Sequence, residues 1–124
     1  VFPQDVHRAP ARPDLLLQIT NDAWFGEWSG PFQHLAQARI RAIEQGLPML
    51  RSANTGVSAV IDGAGRTIAA LPLGEAGYVD APLPPPLRVT LYSRSGDLPV
   101  LIALFVGIGL VLLSQRGRFR RETD

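Results

Sequence analysis

The chain of 124 residues contains no cysteine and no lysine, so all twelve of its basic residues are arginines. The absence of cysteine excludes disulfides, thiolate metal sites and a cysteine nucleophile within these residues. The absence of lysine excludes a lysine base, a Schiff base and the lysine of a phosphate-binding loop. Covalent chemistry that needs a thiol or a side-chain amine therefore cannot come from this stretch of sequence.

The net charge is small, and basic residues are concentrated at one end of the chain. The formal net charge is +1, and four arginines lie within residues 116–121. The remainder has no concentration of basic residues that would form a nucleic-acid footprint, so we expect no nucleic-acid partner. The sequence begins at Val1 without a methionine or a charged-then-apolar leader, and we expect it to be a fragment.

What is present reads as an α/β pattern. Apolar runs and alternation predict strands over residues 15–20, 49–53, 57–61, 66–70 and 77–81. A helix is predicted over residues 31–45, with Ser29 as its cap and Gly46 as a left-handed end. Its predicted apolar face comprises Phe32, Leu35, Ala36, Ala42 and Ile43. We expect the first strand to be covered on both faces, and the chain around Asp62 to form a hairpin turn.

The motif Thr-Asn-Asp-Ala-Trp-Phe-Gly at residues 20–26 directly follows the first predicted strand. Open α/β sheets bind ligands at the ends of such strands. Trp24, Phe25 and Trp28 concentrate aromatic surface in this loop, and exposed apolar surface of this kind is typical of a binding site. The alternative is that Trp24 and Phe25 only plug the edge of the core.

Residues 98–115 form an uncharged, apolar run that four arginines follow. At about 1.5 Å per residue this run predicts a transmembrane helix whose arginine-rich end is cytoplasmic. A proline-rich stretch precedes it. We expect residues 1–87 to form part of a folded domain, 88–97 a connector, 98–115 the transmembrane helix and 116–124 a basic cytoplasmic tail. The alternative for the run is a buried core helix.

Four segments together resemble the carbon-nitrogen hydrolase (nitrilase) superfamily and, within it, the apolipoprotein N-acyltransferase family. They are residues 20–26, Gln-His at 33–34, Ala-Arg-Ile-Arg-Ala-Ile-Glu at 38–44 and Leu-Arg-Ser-Ala-Asn-Thr-Gly at 50–56. The apolar helix after a proline-rich connector matches the same family.

The resemblance implies a four-layer α-β-β-α sandwich on the periplasmic side of the bacterial inner membrane, with a Glu-Lys-Cys triad. In that scheme an acyl chain passes from a phospholipid, through a cysteine thioester, to the N-terminal amine of an apolipoprotein. The missing cysteine and lysine imply that the triad lies outside these residues, so we assign no catalytic residue here and expect the chain alone to be inactive. We also expect no cofactor and no metal.

The resemblance assigns substrate contacts to four residues of the motif loop: Asn21, Asp22, Trp24 and Phe25. Arg39, Glu44 and Arg51 also match the family pattern, but we interpret them as buried salt bridges that hold the helix on the sheet. His34 is interpreted as a surface or packing residue. Two alternatives for the function stay open: an amidase or nitrilase acting on a soluble substrate, and an inert membrane-tethered binding module.

Overall fold

The computed structural model describes the backbone of residues 11–121 and the side chains of residues 11–114. The chain divides into two compact units, with the boundary between Arg94 and Ser95. Residues 122–124 of the predicted tail, and residues 1–10 of the predicted domain, lie outside the described part.

The first unit is built on a four-stranded sheet in the order β1-β2-β3-β4. Its strands are β1 (Leu16–Asn21), β2 (Met49–Asn54), β3 (Ser58–Ile61) and β4 (Thr67–Leu71), which confirms four of the five predicted strands. β1 and β2 are parallel and end together, with Asn21 opposite Asn54, whereas the other two pairs are antiparallel. The segment that follows β1 therefore lies beside the turn that follows β2.

Helix α1 (Gly30–Gln45) connects the two parallel strands and confirms the predicted helix. It ends as expected at Gly46, which has a φ of 64° and whose N–H points to the carbonyls of Ala42 and Ile43. The expected start differs, because Ser29 makes no side-chain capping bond. Its backbone carbonyl instead accepts the N–H of Gln33 at 2.9 Å.

The core lies between α1 and one face of the sheet. It comprises Leu16, Ala38, Ala42, Leu47, Met49, Ala59 and Ile61. The predicted apolar face of the helix is confirmed at Ala42, which is buried, and at Leu35, which packs against the core. It is wrong at Phe32 and Ile43, which are about half exposed, while the unpredicted Ala38 is buried. Small alanine side chains let the helix backbone approach the sheet closely, so the larger side chains are displaced to the flanks of the contact.

The opposite face of the sheet is open within the described residues, which corrects the expectation that β1 is covered on both faces. Side chains alternate along a strand, so Leu16 points to α1 while Leu17 and Ile19 point away from it and are exposed. A cavity of about 340 Å³ on the sheet is lined partly by Leu17, Leu71 and Tyr78. One helix layer and one sheet layer of the expected four-layer sandwich are thus described.

The predicted strand over residues 77–81 does not form. A strand needs a neighbouring strand for its backbone hydrogen bonds, and none of the four strands pairs with this segment. The chain instead continues without regular structure through the prolines. The N–H of Leu87 then donates to the carbonyl of Gly46 at 2.8 Å, and the Thr90 hydroxyl donates to the carbonyl of Glu44, so this segment is fastened to the end of α1.

Two more helices follow, α2 (Leu91–Ser95) and α3 (Leu98–Arg121). The N–H of Leu101 donates to the carbonyl of Asp97, as expected for the start of α3. Within the residues that the structure describes, no helix combines the length and the apolarity needed to cross a membrane. The transmembrane helix predicted over residues 98–115 is therefore not supported. The part of this run whose side chains are described, residues 98–114, is about 26 Å long as a helix, which is shorter than a bilayer core of roughly 30 Å.

Asp62 organises the turn between β3 and β4. Its carboxylate accepts the N–H groups of Ala64 and Arg66, at 2.9 and 2.8 Å, and contacts the Arg66 guanidinium at 2.7 Å. Burial of Asp62 favours the neutral acid. The hydrogen bonds and the charge of Arg66 outweigh this effect, so the pKa of Asp62 lies below its usual value.

A lowered pKa in the folded state gives a pH dependence with a defined sign. The ionised Asp62 stabilises the fold above its unfolded pKa of about 3.9, and this contribution is lost as the pH falls through the lower folded value. We expect Asp62→Asn to lower the thermal midpoint at pH 7 more than at pH 3, measured by thermal denaturation. An equal decrease at both pH values would contradict the assignment.

Candidate functional site

The segment after β1 folds into a tight polar turn. Asn21 is the last residue of the strand, and its side-chain Oδ1 accepts the N–H of Ala23 at 3.1 Å. The N–H of Asp22 donates to the carbonyl of Asn54 at 3.2 Å, which continues the parallel pairing one residue beyond the strands. A single 3-10 turn, Ala23–Phe25, follows and is closed by the Phe25 N–H on the Asp22 carbonyl.

Residues 22–28 form what we call the aromatic loop. Trp24 is 82% exposed, Trp28 is 90% exposed and Phe25 is 48% exposed. Trp24 therefore fills no part of the core of the described unit, and Phe25 is only half covered. The loop displays a large apolar surface at the edge of the sheet where β1 and β2 end.

A buried ion pair lies beneath this loop. Asp22 is 0% exposed and Arg51, in the middle of β2, is 3% exposed. Arg51 Nη2 lies 2.5 Å from Asp22 Oδ2. The remaining guanidinium nitrogens donate to the carbonyl of Val57 at 3.1 Å and to Oε1 of Gln18 at 2.7 Å. The expectation that Arg51 forms a buried salt bridge is confirmed, but the bridge joins the sheet to the loop residue Asp22 and not to the helix.

His34 completes the network from the first turns of α1. Its Nδ1 lies 2.9 Å from Asp22 Oδ1, and its Nε2 lies 3.2 Å from Nε2 of Gln18. The imidazole also contacts the Phe25 ring edge-on, with 5.2 Å between the ring centroids. Sequence reasoning interpreted this residue as a surface or packing histidine. Its role could have been predicted from its position. His34 lies one turn into a helix that begins directly after the loop, and a side chain at that position can face the loop.

Arg39 and Glu44 differ from the expected salt bridges between helix and sheet. The Arg39 guanidinium donates through Nε to the carbonyl of Gly65, at 2.7 Å, and so joins α1 to the β3–β4 turn by a neutral acceptor. Glu44 forms an ion pair with Arg41 on the same helix, at 2.8 Å. Arg51 is therefore the member of this set whose salt bridge joins the sheet to the loop.

A cavity of about 420 Å³ opens beside the aromatic loop. It is lined by Ala23, Gly26, Glu27, Thr55, Leu73 and Gly74. Thr55 adopts a φ of 58°, so the left-handed residue of the turn after β2 is Thr55, and the adjacent Gly56 packs against Asp22. No cluster of three or more potential ligands for a metal ion occurs in the described part of the chain.

The arrangement supports binding better than acid–base chemistry. An Asp–His pair can orient a general base when the second ring nitrogen faces a nucleophile. Here the second nitrogen of His34 faces the Gln18 amide, and the carboxylate of Asp22 is occupied by two donors. The polar groups of Asp22, His34 and Arg51 are therefore used internally, and the largest exposed side chains of the loop, Trp24 and Trp28, are apolar.

The sequence of the folded unit matches a known protein family. The carbon-nitrogen hydrolase model matches residues 2–90, and the chain belongs to the carbon-nitrogen hydrolase family.

Three similar proteins within this family share one name. The chain is 56% identical over 124 residues to the apolipoprotein N-acyltransferase of Bradyrhizobium diazoefficiens, covering 98% of this chain. It is 53% identical over 116 residues to that of Rhodopseudomonas palustris, covering 94% of this chain. It is 43% identical over 106 residues to that of Rickettsia bellii, covering 85% of this chain. These matches span 21–22% of the relatives' own lengths, so the chain corresponds to about a fifth of each.

The close packing of Gly56 on Asp22 gives a direct test of the buried ion pair. A Cβ at Gly56 would lie 2.7 Å from both Cβ and Cγ of Asp22, which is too close for any side chain. We expect Gly56→Ala to displace Asp22 from Arg51 and to lower the free energy of unfolding by about 3 kcal/mol, since it leaves a buried charge poorly paired.

The matched control is Gly77→Ala, whose added Cβ would meet Leu71 no closer than 3.5 Å, an ordinary contact. We expect this variant to be nearly neutral. Chemical denaturation of the two variants beside the parent protein provides the measurement, and equal stability of the two variants would contradict the importance of the pair.

Proposed function

We propose that this chain is part of a membrane-bound apolipoprotein N-acyltransferase and that it forms the acyl-binding wall of the active site. Relatives of that name, 53–56% identical over nearly the whole chain, support the activity. The geometry supports the role within it, because the described residues display an apolar surface on a rigid polar base. The complete enzyme would supply the remaining walls and the catalytic groups.

The single observation that carries this role is the exposure of Trp24 on an anchored loop. Leaving an indole ring in water forgoes the free energy of its burial, on the order of 2 kcal/mol. The loop nevertheless holds this conformation, because its backbone is bonded to Asn54 and its Asp22 is buried against Arg51. An acyl chain packed against Trp24 and the exposed half of Phe25 would recover that free energy.

The polar residues of the motif act from below this surface. Asn21 accepts the Ala23 N–H and Asp22 is fully buried, so we propose that both shape the loop around the bound substrate. The wider site would then receive a phospholipid as acyl donor and an apolipoprotein as acceptor. Apolar contact with Trp24 and Phe25 fits the acyl chain that the two substrates exchange.

In the proposed reaction a cysteine thiolate attacks the phospholipid ester and the lysophospholipid leaves. The α-amine of the apolipoprotein then attacks the resulting thioester, and the thiolate leaves. The cysteine nucleophile and the lysine that holds the oxyanion are assigned to residues outside these 124, because the sequence holds no cysteine and no lysine. The resemblance places the glutamate base outside them as well. The chain alone should consequently transfer no acyl group.

Contact with the membrane is assigned to α3. Its apolar side chains, among them Leu101, Phe105 and Leu112, are exposed and suited to a lipid environment. We propose the bacterial inner membrane as the location, with the sheet unit on its periplasmic side. This arrangement would bring the aromatic loop to the side of the membrane where lipoproteins are acylated.

The acyl-binding role is tested by Trp24→Ala in the complete reading frame that contains this chain. Loss of the indole removes apolar contact with the acyl chain, so we expect kcat/KM for acyl transfer to fall roughly tenfold. Trp24→Phe should recover part of the loss. The measurement is acylation of a purified lipoprotein substrate in detergent or vesicles.

Tyr78→Ala provides the control, because Tyr78 is also an exposed aromatic residue and lies outside the aromatic loop. Its activity should equal that of the parent enzyme. If Trp24→Ala acylates as fast as Tyr78→Ala, the acyl-binding role is wrong. Hydrolysis of soluble amides by the complete protein, without acyl transfer, would favour an amidase instead.

A further inference from the structure

His34 joins the start of α1 to both sides of the exposed Trp24. Its ring contacts the Asp22 carboxylate before Trp24 and the Phe25 ring after it. The helix start supports the same region, because a Cβ on Gly30 would lie 2.5 Å from Cβ of Phe25. Trp24 itself is largely exposed, so its position depends on the anchoring of Asp22 and Phe25.

The hydrogen bonds of Gln18 indicate which nitrogen of the imidazole donates to Asp22. Gln18 Oε1 accepts from the Arg51 guanidinium at 2.7 Å, so the Gln18 amide nitrogen is the group that faces His34. That amide donates to His34 Nε2, which must then carry a lone pair. The ring proton consequently lies on Nδ1 and is donated to Asp22 Oδ1 at 2.9 Å.

The carboxylate of Asp22 is paired on both of its oxygens. The two oxygens of Asp22 each accept one donor, from His34 and from Arg51. The 3.3 Å approach of Arg51 Nη2 to His34 Nδ1 follows because both nitrogens converge on the same carboxylate. An imidazole held in one orientation is therefore built into the base of the aromatic loop.

We propose that His34 is a positioning residue for the acyl-binding loop. It holds Asp22 by a hydrogen bond and Phe25 by ring contact, and thereby fixes the 3-10 turn that presents Trp24. It is not assigned a catalytic role, because its second nitrogen is engaged by Gln18. The proposal that His34 anchors the loop follows from these contacts alone. Only the expected effect on acyl substrates rests on the function proposed above.

The test uses the complete protein and three variants. His34→Phe keeps an aromatic ring beside Phe25 and removes the donor to Asp22. His34→Asn keeps an amide donor near the position of Nδ1 and removes the ring. Gln37→Ala is the matched control, since Gln37 is exposed three positions further along the same helix.

The first measurement is hydrogen–deuterium exchange of the peptide covering residues 20–28. This peptide contains the N–H groups of Ala23 and Phe25, which are bonded inside the turn. Loss of one charge-assisted hydrogen bond should speed exchange in His34→Phe roughly tenfold, with a smaller effect in His34→Asn. Gln37→Ala should exchange like the parent protein.

The second measurement is the steady-state kinetics of acyl transfer. A disordered acyl-binding loop should raise KM for the phospholipid roughly tenfold in His34→Phe and change kcat less than twofold. A general loss of folded protein would instead lower the apparent kcat and leave KM unchanged. His34→Asn should recover part of the parent KM.

Exchange at the parent rate in both His34 variants would overturn the proposal. Should His34→Phe fail to fold, His34→Asn against Gln37→Ala decides the question, and equal exchange in these two would again overturn it. Failure of the function proposed above has a different pattern. In that case exchange is faster in the His34 variants, while Trp24→Ala and His34→Phe acylate like the parent enzyme.

Discussion

The structure of the site depends on one buried ion pair, Asp22 with Arg51. Removing two charges from water is costly, and the cost is offset only when their remaining hydrogen-bonding groups are also paired. Here Arg51 reaches Asp22, Val57 and Gln18, while Asp22 receives a second donor from His34. The end of β1, the middle of β2 and the start of α1 are thereby held together at one edge of the sheet.

This ion pair also explains how the aromatic loop can display so much apolar surface. An unanchored loop would fold its aromatic side chains onto the nearest apolar surface, because burial is favourable. The polar base restricts this movement, since the N–H of Asp22 is bonded to Asn54 and the turn around Trp24 is closed by hydrogen bonds from Ala23 and Phe25. Rigid support beneath an exposed apolar face is the arrangement expected of a preformed lipid-binding wall.

Features that depend on neighbouring residues in sequence could be predicted. The left-handed end at Gly46 and the turn at Asp62 are local, because glycine and aspartate carry the required conformational freedom and hydrogen bonds themselves. Two predictions that depend on a distant partner were wrong. The segment at residues 77–81 has a strand-like sequence and no strand beside it, and Phe32 lies outside the core because Ala38 and Ala42 set how closely the helix approaches.

The sequence by itself determined the order of strands and helix, the family of the chain and the place of the aromatic motif at a strand end. These follow from local propensity, periodicity and a specific run of residues. Only the tertiary structure decided that Asp22 is buried while Trp24 is exposed, and that His34 belongs to the base of the loop. Residues 22 and 51 are 29 positions apart, and parallel pairing of β1 with β2 brings them together. The packing of α1 on the sheet then places His34 within hydrogen-bonding distance of Asp22.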